Sequence, residues 1–361
     1  MDLNVGTEFK QTADLGTVAG GSILLTVLSH IAGDGFGMVS GAAAGAAVVA
    51  FVGALSGFRG LRLPAGRWPI VAAVLGAACA GLVAMHAAGG FWSTPEVLPD
   101  TSGRVVRLVV LTCLTGLLAA TVATDLADYS IPDRLTLPPT VAAIAAAAAS
   151  GNSQLMHLWV DWTQAVPQIR GPEIPQWIKD HPHLHGLAWS VTGAGVGFAL
   201  ITGTRWVARL VLGRDALGSG DATLMLLVGA CVGWQAATTV SLVAPLLCVI
   251  GIPLSRMVTG RSFVAYGPYL AAAAVLVLCL WRPLWMGPDM NADAAGEGLR
   301  AVFSDPLLFG FGIGLLFIGT PLLLGLLVAF RSLPVRSGAT DTPAVVDAAD
   351  AANTEVERTT P

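Results

Sequence analysis

Two polar stretches interrupt an otherwise apolar chain, and each sets an aspartate at the edge of a hydrophobic segment. The first, Thr124–Pro138, reads TDLADYSIPDRLTLP and holds Asp125. The second, Gly213–Trp234, reads GRDALGSGDATLMLLVGACVGW and holds Asp221. A carboxylate at membrane depth is costly and by default functional. Two of them at one face can share a proton, because like charges in proximity raise one pKa. One carboxylate then takes a proton from water while the other gives one to the scissile carbonyl or the leaving amine. That is peptide-bond hydrolysis with no metal, no cofactor and no covalent intermediate.

The neighbouring residues say what must position the pair. Pro132 stops a helix from running through the first turn and pushes Ile131 toward an extended backbone. Asp133 is expected to cap the next helix by accepting its free N–H groups. In the second stretch Gly218 and Gly220 permit unusual backbone angles or the close approach of another segment. Asp221 then falls at a helix N-terminus, where the dipole favours its ionised form. Each pattern also has a plain reading: a charged connection between helices, and a capping aspartate after a glycine-rich turn. Asp128, one helical turn from Asp125, is either a tuning group or a solvated turn residue. Arg214 and Asp215 read as a contact for a charged substrate leader or as a helix end. His181, His183 and His185 alternate as HPHLH, without the carboxylate or cysteine spacing of a metal site. The pairs Gly41/Gly45, Gly193/Gly197 and Gly229/Gly233 fit close helix packing.

The chain of 361 residues is 54% hydrophobic and 12% charged, against about a quarter charged in soluble domains. Ten hydrophobic segments are predicted, near 16–33, 36–57, 69–90, 105–124, 135–150, 187–209, 221–235, 237–254, 266–281 and 306–329. Several approach the ~20 residues of a membrane-crossing helix. The fold class expected is an all-α, polytopic membrane helix bundle. Strand periodicity is missing, which excludes a barrel. With the N-terminus in the cytoplasm, 13 of the 19 Lys and Arg fall inside. Arg104, Arg107, Arg170, Lys179, Arg282 and Arg300 fall on the outside. This bias sets both termini in the cytoplasm and both aspartates near the cytoplasmic face. No basic arm or aromatic platform points to nucleic acid. The five cysteines form no Cys-x-x-Cys pair and read as small buried hydrophobes. The acidic N-terminal stretch is unlike the basic start of a cleavable signal peptide.

These motifs resemble the type IV prepilin leader peptidases, a Gly-x-Gly-Asp family of membrane aspartyl proteases. In that family the first catalytic aspartate precedes an Ile/Leu-Pro-Asn/Asp turn and a Leu-Thr-Leu-Pro-like run. Asp125, Ile131-Pro132-Asp133 and Leu135-Thr136-Leu137-Pro138 match. The second sits in a Gly-Arg-Glu-Ala-Leu-Gly-x-Gly-Asp block followed by Gly-Ala-x-x-Gly-Trp. Residues 213–221 match with Asp215 for Glu, and residues 229–234 match throughout. A Phe-Gly-Pro-Phe-Leu-Ala signature opens a later span, and Tyr266-Gly267-Pro268-Tyr269-Leu270-Ala271 is similar. The resemblance covers about residues 105–282. It implies catalysis by Asp125 and Asp221, with Gly218, Gly220, Pro132 and Asp133 in the active-site loops. Asp128, Gly267 and Pro268 would support them. Thr223 stands where the family usually has lysine. The cysteine-rich cytoplasmic domain of many bacterial members is not found, and N-methylation is not expected.

The resemblance implies an aspartic endopeptidase of the bacterial inner membrane that needs no cofactor. It would cleave the basic leaders of prepilin or pseudopilin precursors at the cytoplasmic face. Its expected partners are those precursors and the lipid bilayer. Residues 96–285 would form the protease core, after an N-terminal transmembrane region over 1–95 of unassigned role. An outside loop and last helix (286–336) and a disordered cytoplasmic tail (337–361) would follow. Three rivals stand beside this reading. A transporter or channel using the aspartates as a proton relay would require further intramembrane charges, whereas most other charges fall in loops. A relative that has lost catalysis and serves assembly is the second. A relative cleaving preflagellins or other membrane helices is the third.

Overall fold

The structure, a computed structural model, describes residues 96–160, 165–166, 171–213, 217–259, 265–287 and 298–323, with Trp92, Thr94 and Gly325. Helices dominate. α1 spans Thr101–Asp128 and α2 Asp133–Ser150. A two-residue antiparallel ladder pairs Ala165–Val166 with Gly171–Pro172. α3 covers Gln176–Asp180, α4 Pro182–Leu212 and α5 Ser219–Thr259. α6 covers Gly267–Cys279, α7 Trp281–Met286, α8 Leu299–Ser304 and α9 Pro306–Gly314. A π-helical turn, Leu315–Gly319, continues α9.

Four helical stretches are long and apolar enough to cross a membrane: Thr101–Val122, Pro182–Val211, Ser219–Gly251 and Pro306–Leu323. The protein is therefore a membrane protein whose described residues are helical apart from that short ladder. The predicted segments 16–33, 36–57 and 69–90 and the tail beyond 337 lie outside the described residues, as do Gly41 and Gly45.

The first half of α5 is apolar on every face, which marks a helix enclosed by others. Leu224, Leu227, Val228 and Ala230 are fully buried. The lipid-facing signature appears on α9, where Leu307 and Phe311 are largely exposed. α4 and α5 meet through glycine. A Cβ on Gly193 would land in the Gly229 carbonyl, and one on Gly229 in the Gly193 carbonyl. Gly197 is pressed against the Met225 carbonyl. The expected role of these small residues is thus seen directly: backbones touch because no side chain intervenes. Ser190 Oγ fastens the seam by donating to Ala230 O across 2.7 Å.

The expected boundary between segments 221–235 and 237–254 falls at Gly233, which adopts φ 82°, ψ 171° inside α5. That left-handed φ suits glycine alone. Its consequence can be traced through contacts. A Cβ on Gly220 would meet Ile131 Cβ at 2.9 Å, and one on Gly267 would meet Ile131 Cδ1 at 3.1 Å. Tyr269, two residues on, packs its ring on Gly251, whose Cβ would meet the phenol oxygen at 2.9 Å. A straight helix would hold Gly220 and Gly251 about 46 Å apart. The two halves of α5 therefore double back at Gly233.

Two expectations need correction. Asp133 is not the cap of α2. Pro132 holds that place with extended backbone (φ −68°, ψ 131°) and makes no capping bond. Asp133 is the first helical residue, exposed, where its charge meets the positive helix end. Arg107 and Arg300, counted on the outside by charge, are both buried within the fold. Asp305 caps α9 by accepting the Leu307 N–H at 2.8 Å.

Candidate active site

Asp125 lies in the last turn of α1, three residues past the apolar stretch Thr101–Val122. The helix ends because Tyr129 turns into the left-handed region (φ 52°, ψ 34°), its N–H closing on Asp125 O at 3.0 Å. A bulky residue there is strained, and such strain gathers at functional sites. The chain then runs extended through Pro132 and turns back into α2. This places Ile131 beneath the end of α1.

Asp221 is the third residue of α5. Its Oδ2 reaches back to accept the N–H of Gly218, just before the helix, at 3.0 Å. This is half of a capping box, built by the carboxylate itself. Gly220 serves the close approach expected of it: its bare Cα faces Ile131. Gly218 shows no such crowding, since a Cβ there would meet only Asp221 Oδ2 at ordinary contact distance. Thr223 turns its hydroxyl to Gly220 O at 3.0 Å, within its own helix.

The third motif closes the site from α6. Gly267 is the first residue of that helix, and a Cβ on it would overlap the Asp125 carboxylate. Pro268 follows in the first turn, where its missing N–H leaves no bond unmade. Residues from three distant segments are therefore stacked: Gly220 on Ile131, Ile131 on Gly267, Gly267 on Asp125.

Both carboxylates are buried, each 6% exposed. The charge of Asp125 is felt at Asp221, and so is that of Arg205 on α4. Burial pushes the Asp125 carboxyl above the usual carboxylate range, and the Gly267 backbone N–H opposes this in part. Asp125 Oδ2 is buried without a hydrogen-bond partner among the described residues. A buried acceptor left open costs on the order of 1–3 kcal/mol, and an acceptor so left open is one that a water or substrate proton can fill.

Asp128 is the last residue of α1. Arg214 and Asp215 lie outside the described residues. His181 precedes α4, His183 Nδ1 contacts Ala148 O at 2.9 Å, and His185 is buried elsewhere in the fold. No group of three His, Cys, Asp or Glu side chains able to hold a metal occurs among the described residues. Arg205 is the addition that the motifs alone did not single out. Register would have placed Arg205. Gly193 meets Gly229 and Gly197 meets Met225, so two further turns set Arg205 opposite Leu217, at the mouth of the Asp221 loop.

No family model and no solved structure matches the chain. Curated proteins do. It is 29% identical over 171 residues to a prepilin leader peptidase/N-methyltransferase of Aeromonas salmonicida, covering 46% of this chain and 47% of that one. The corresponding protein of Aeromonas hydrophila is 28% identical over 227 residues, covering 62% and 61%. That of Dickeya chrysanthemi is 35% identical over 97 residues, covering 26% and 34%. The chain spans about half the length of the first of these relatives. By its sequence, the chain is similar to proteins named prepilin leader peptidase/N-methyltransferase.

Proposed function

We propose that the chain is a membrane-embedded aspartic endopeptidase that removes the short basic leader of prepilin or pseudopilin precursors. In this reading it is a multi-pass protein of the bacterial inner membrane and cuts at the cytoplasmic face. Asp125 and Asp221 share one proton. The ionised partner draws a proton from water as its oxygen attacks the scissile carbonyl. The protonated partner supports the developing oxyanion and delivers its proton to the leaving amine as the C–N bond breaks. One proton enters the pair and one leaves, so the pair is ready for the next turnover.

The observation that carries this reading is the contact stack joining the three motifs. Gly220, Ile131 and Gly267 bring the Asp221 loop and the Asp125 turn onto the start of α6. Each aspartate then sits on a helix end, where geometry is fixed by backbone rather than by long side chains. The relatives are named as peptidase/N-methyltransferases. The proposal takes up the peptidase step alone.

The test is cleavage of a prepilin-like substrate in membranes by wild type, Asp125→Asn and Asp221→Asn. Wild type is expected to cleave and both variants, correctly inserted, to be inactive. Cleavage that survives either change removes that residue from the mechanism. A wild type inactive on prepilin, pseudopilin and preflagellin substrates alike overturns the peptidase reading.

A further inference from the structure

The end of the bundle opposite Asp125 holds a buried polar network that plays no part in the proposed chemistry. Residues 153–158 cross this end as a strap. Arg107 on α1 holds one side, donating from Nε to Ser153 O at 3.0 Å and from Nη2 to Gln154 O. The other side is tied to α5 just past its break at Gly233. Trp234 Nε1 donates to Leu158 O at 2.8 Å, and Gln235 Nε2 to His157 O at 2.8 Å. Between the two, His185 of α4 is fully buried and both its ring nitrogens are engaged. Nε2 accepts the Leu158 N–H at 3.1 Å, and Nδ1 lies 2.9 Å from the Gln154 side-chain amide.

The Leu158 amide has one proton and can only donate. His185 must therefore keep a lone pair on Nε2, and its single proton belongs on Nδ1. The Gln154 amide adapts to this by presenting its oxygen, an orientation that is a choice of assignment, and gives up the 3.2 Å bond from Nε2 to Gly151 O. Imidazolium has no such escape. With both nitrogens protonated, N–H would face N–H at Leu158, and the strap bond is lost. His157 is built the other way. Its Nε2 lies 3.0 Å from the Glu96 carbonyl, which only accepts, so Nε2 bears the proton. Its Nδ1 has no partner among the described residues and takes a proton without breaking a bond.

We propose that neutral His185 is the latch of an acid-released strap, and that its protonation frees residues 153–158 from α4, beside the Gly233 break of α5. Among the described residues no counter-charge is at hand to spare it. The titratable group facing its ring is His157, with centroids 5.5 Å apart. Trp177 of α3 meets the ring by its edge. Arg107 is bound to strap carbonyls, and the Glu96 carboxylate pairs with Arg300 at 3.1 Å. On α3, Asp180 accepts from Gln176 and Lys179 is exposed. On α4 itself, His181 and His183 are exposed. This inference stands apart from the peptidase reading.

The test is hydrogen–deuterium exchange of the purified full chain in detergent, corrected for the intrinsic effect of pH. Between about pH 7.5 and about pH 5, strap amides should lose roughly tenfold or more of their protection. The buried start of α5 should keep its own. His185→Gln, whose side-chain oxygen accepts the Leu158 N–H but does not titrate, should stay protected at both pH values. A strap equally protected at both, or a His185→Gln strap as acid-labile as wild type, overturns the proposal. If that variant does not fold, imidazole 15N shifts of the wild type decide. Protonation of His185 must coincide with loss of protection, and protonation with the strap still closed overturns the latch.

Discussion

Arg107 and Asp125 are buried charges on one helix, five turns and about 27 Å apart. Arg107 is surrounded by acceptors. The carbonyls of Trp92, Ser153 and Gln154 take its guanidinium protons, and the result ties two segments to α1. Asp125 has the reverse surroundings. Glycine lies against one side of it, Oδ2 has no hydrogen-bond partner among the described residues, and burial opposes its charge. A charge whose bonds are complete holds structure together. One whose bonds are left incomplete in a fixed place is available to a substrate. The contrast teaches that burial alone does not mark a site; the unfilled coordination does.

The contrast can be broken most sharply by neutral isosteres at the aspartates. Asp125→Asn and Asp221→Asn should each lower cleavage by about 10²–10⁴-fold, the range of general acid–base catalysis, while thermal unfolding stays near wild type. Next comes Gly267→Ala. Its methyl overlaps the Asp125 carboxylate and crowds Ile131. Displacing that carboxylate should cost roughly 100-fold in cleavage, in keeping with the effect of small misplacements. Arg107→Met should do the opposite. Three carbonyls lose a buried donor, so stability should fall by about 2–3 kcal/mol in a denaturant or thermal titration. Cleavage by the molecules that remain folded should be unchanged.

The smallest effect expected is on pH dependence. Asp125 binds its proton more tightly folded than unfolded. Between the unfolded value of about 3.9 and the raised folded value, the native state binds more protons than the unfolded one. Stability therefore falls as pH rises through that window and levels off above it. Asp125→Asn should remove this slope. A slope unchanged in the variant would assign it to another group.

The aspartates and their glycines were legible because their logic is local. A proline turn, a Gly-x-Gly-Asp start and a Gly-Pro start each fix a helix end within a few residues. The small-residue pairs were legible for a similar reason, since spacing of four sets both glycines on one helix face. Arg107 was not. Charge counting treats an arginine near a helix start as solvated, and only the loop returning 46 residues later supplies the carbonyls that bury it. The strap was hidden for the same reason. His185 among alternating histidines gives no sign that its partner is the Leu158 backbone 27 residues away. The break in α5 was sensed near residue 236 but placed at Gly233 only by its backbone angles.

That break has a consequence for how the chain is threaded during synthesis. Every crossing of a membrane changes the side on which the following residues emerge. The run Ser219–Gly251 counts as one crossing if straight and as two if it doubles back. Gly233 therefore sets the parity of everything that follows it, the Tyr266–Pro268 start of α6 included. With two crossings, Gly267 returns to the face where Asp125 waits. With one, it would emerge on the far side, and the third motif would be delivered to the wrong compartment.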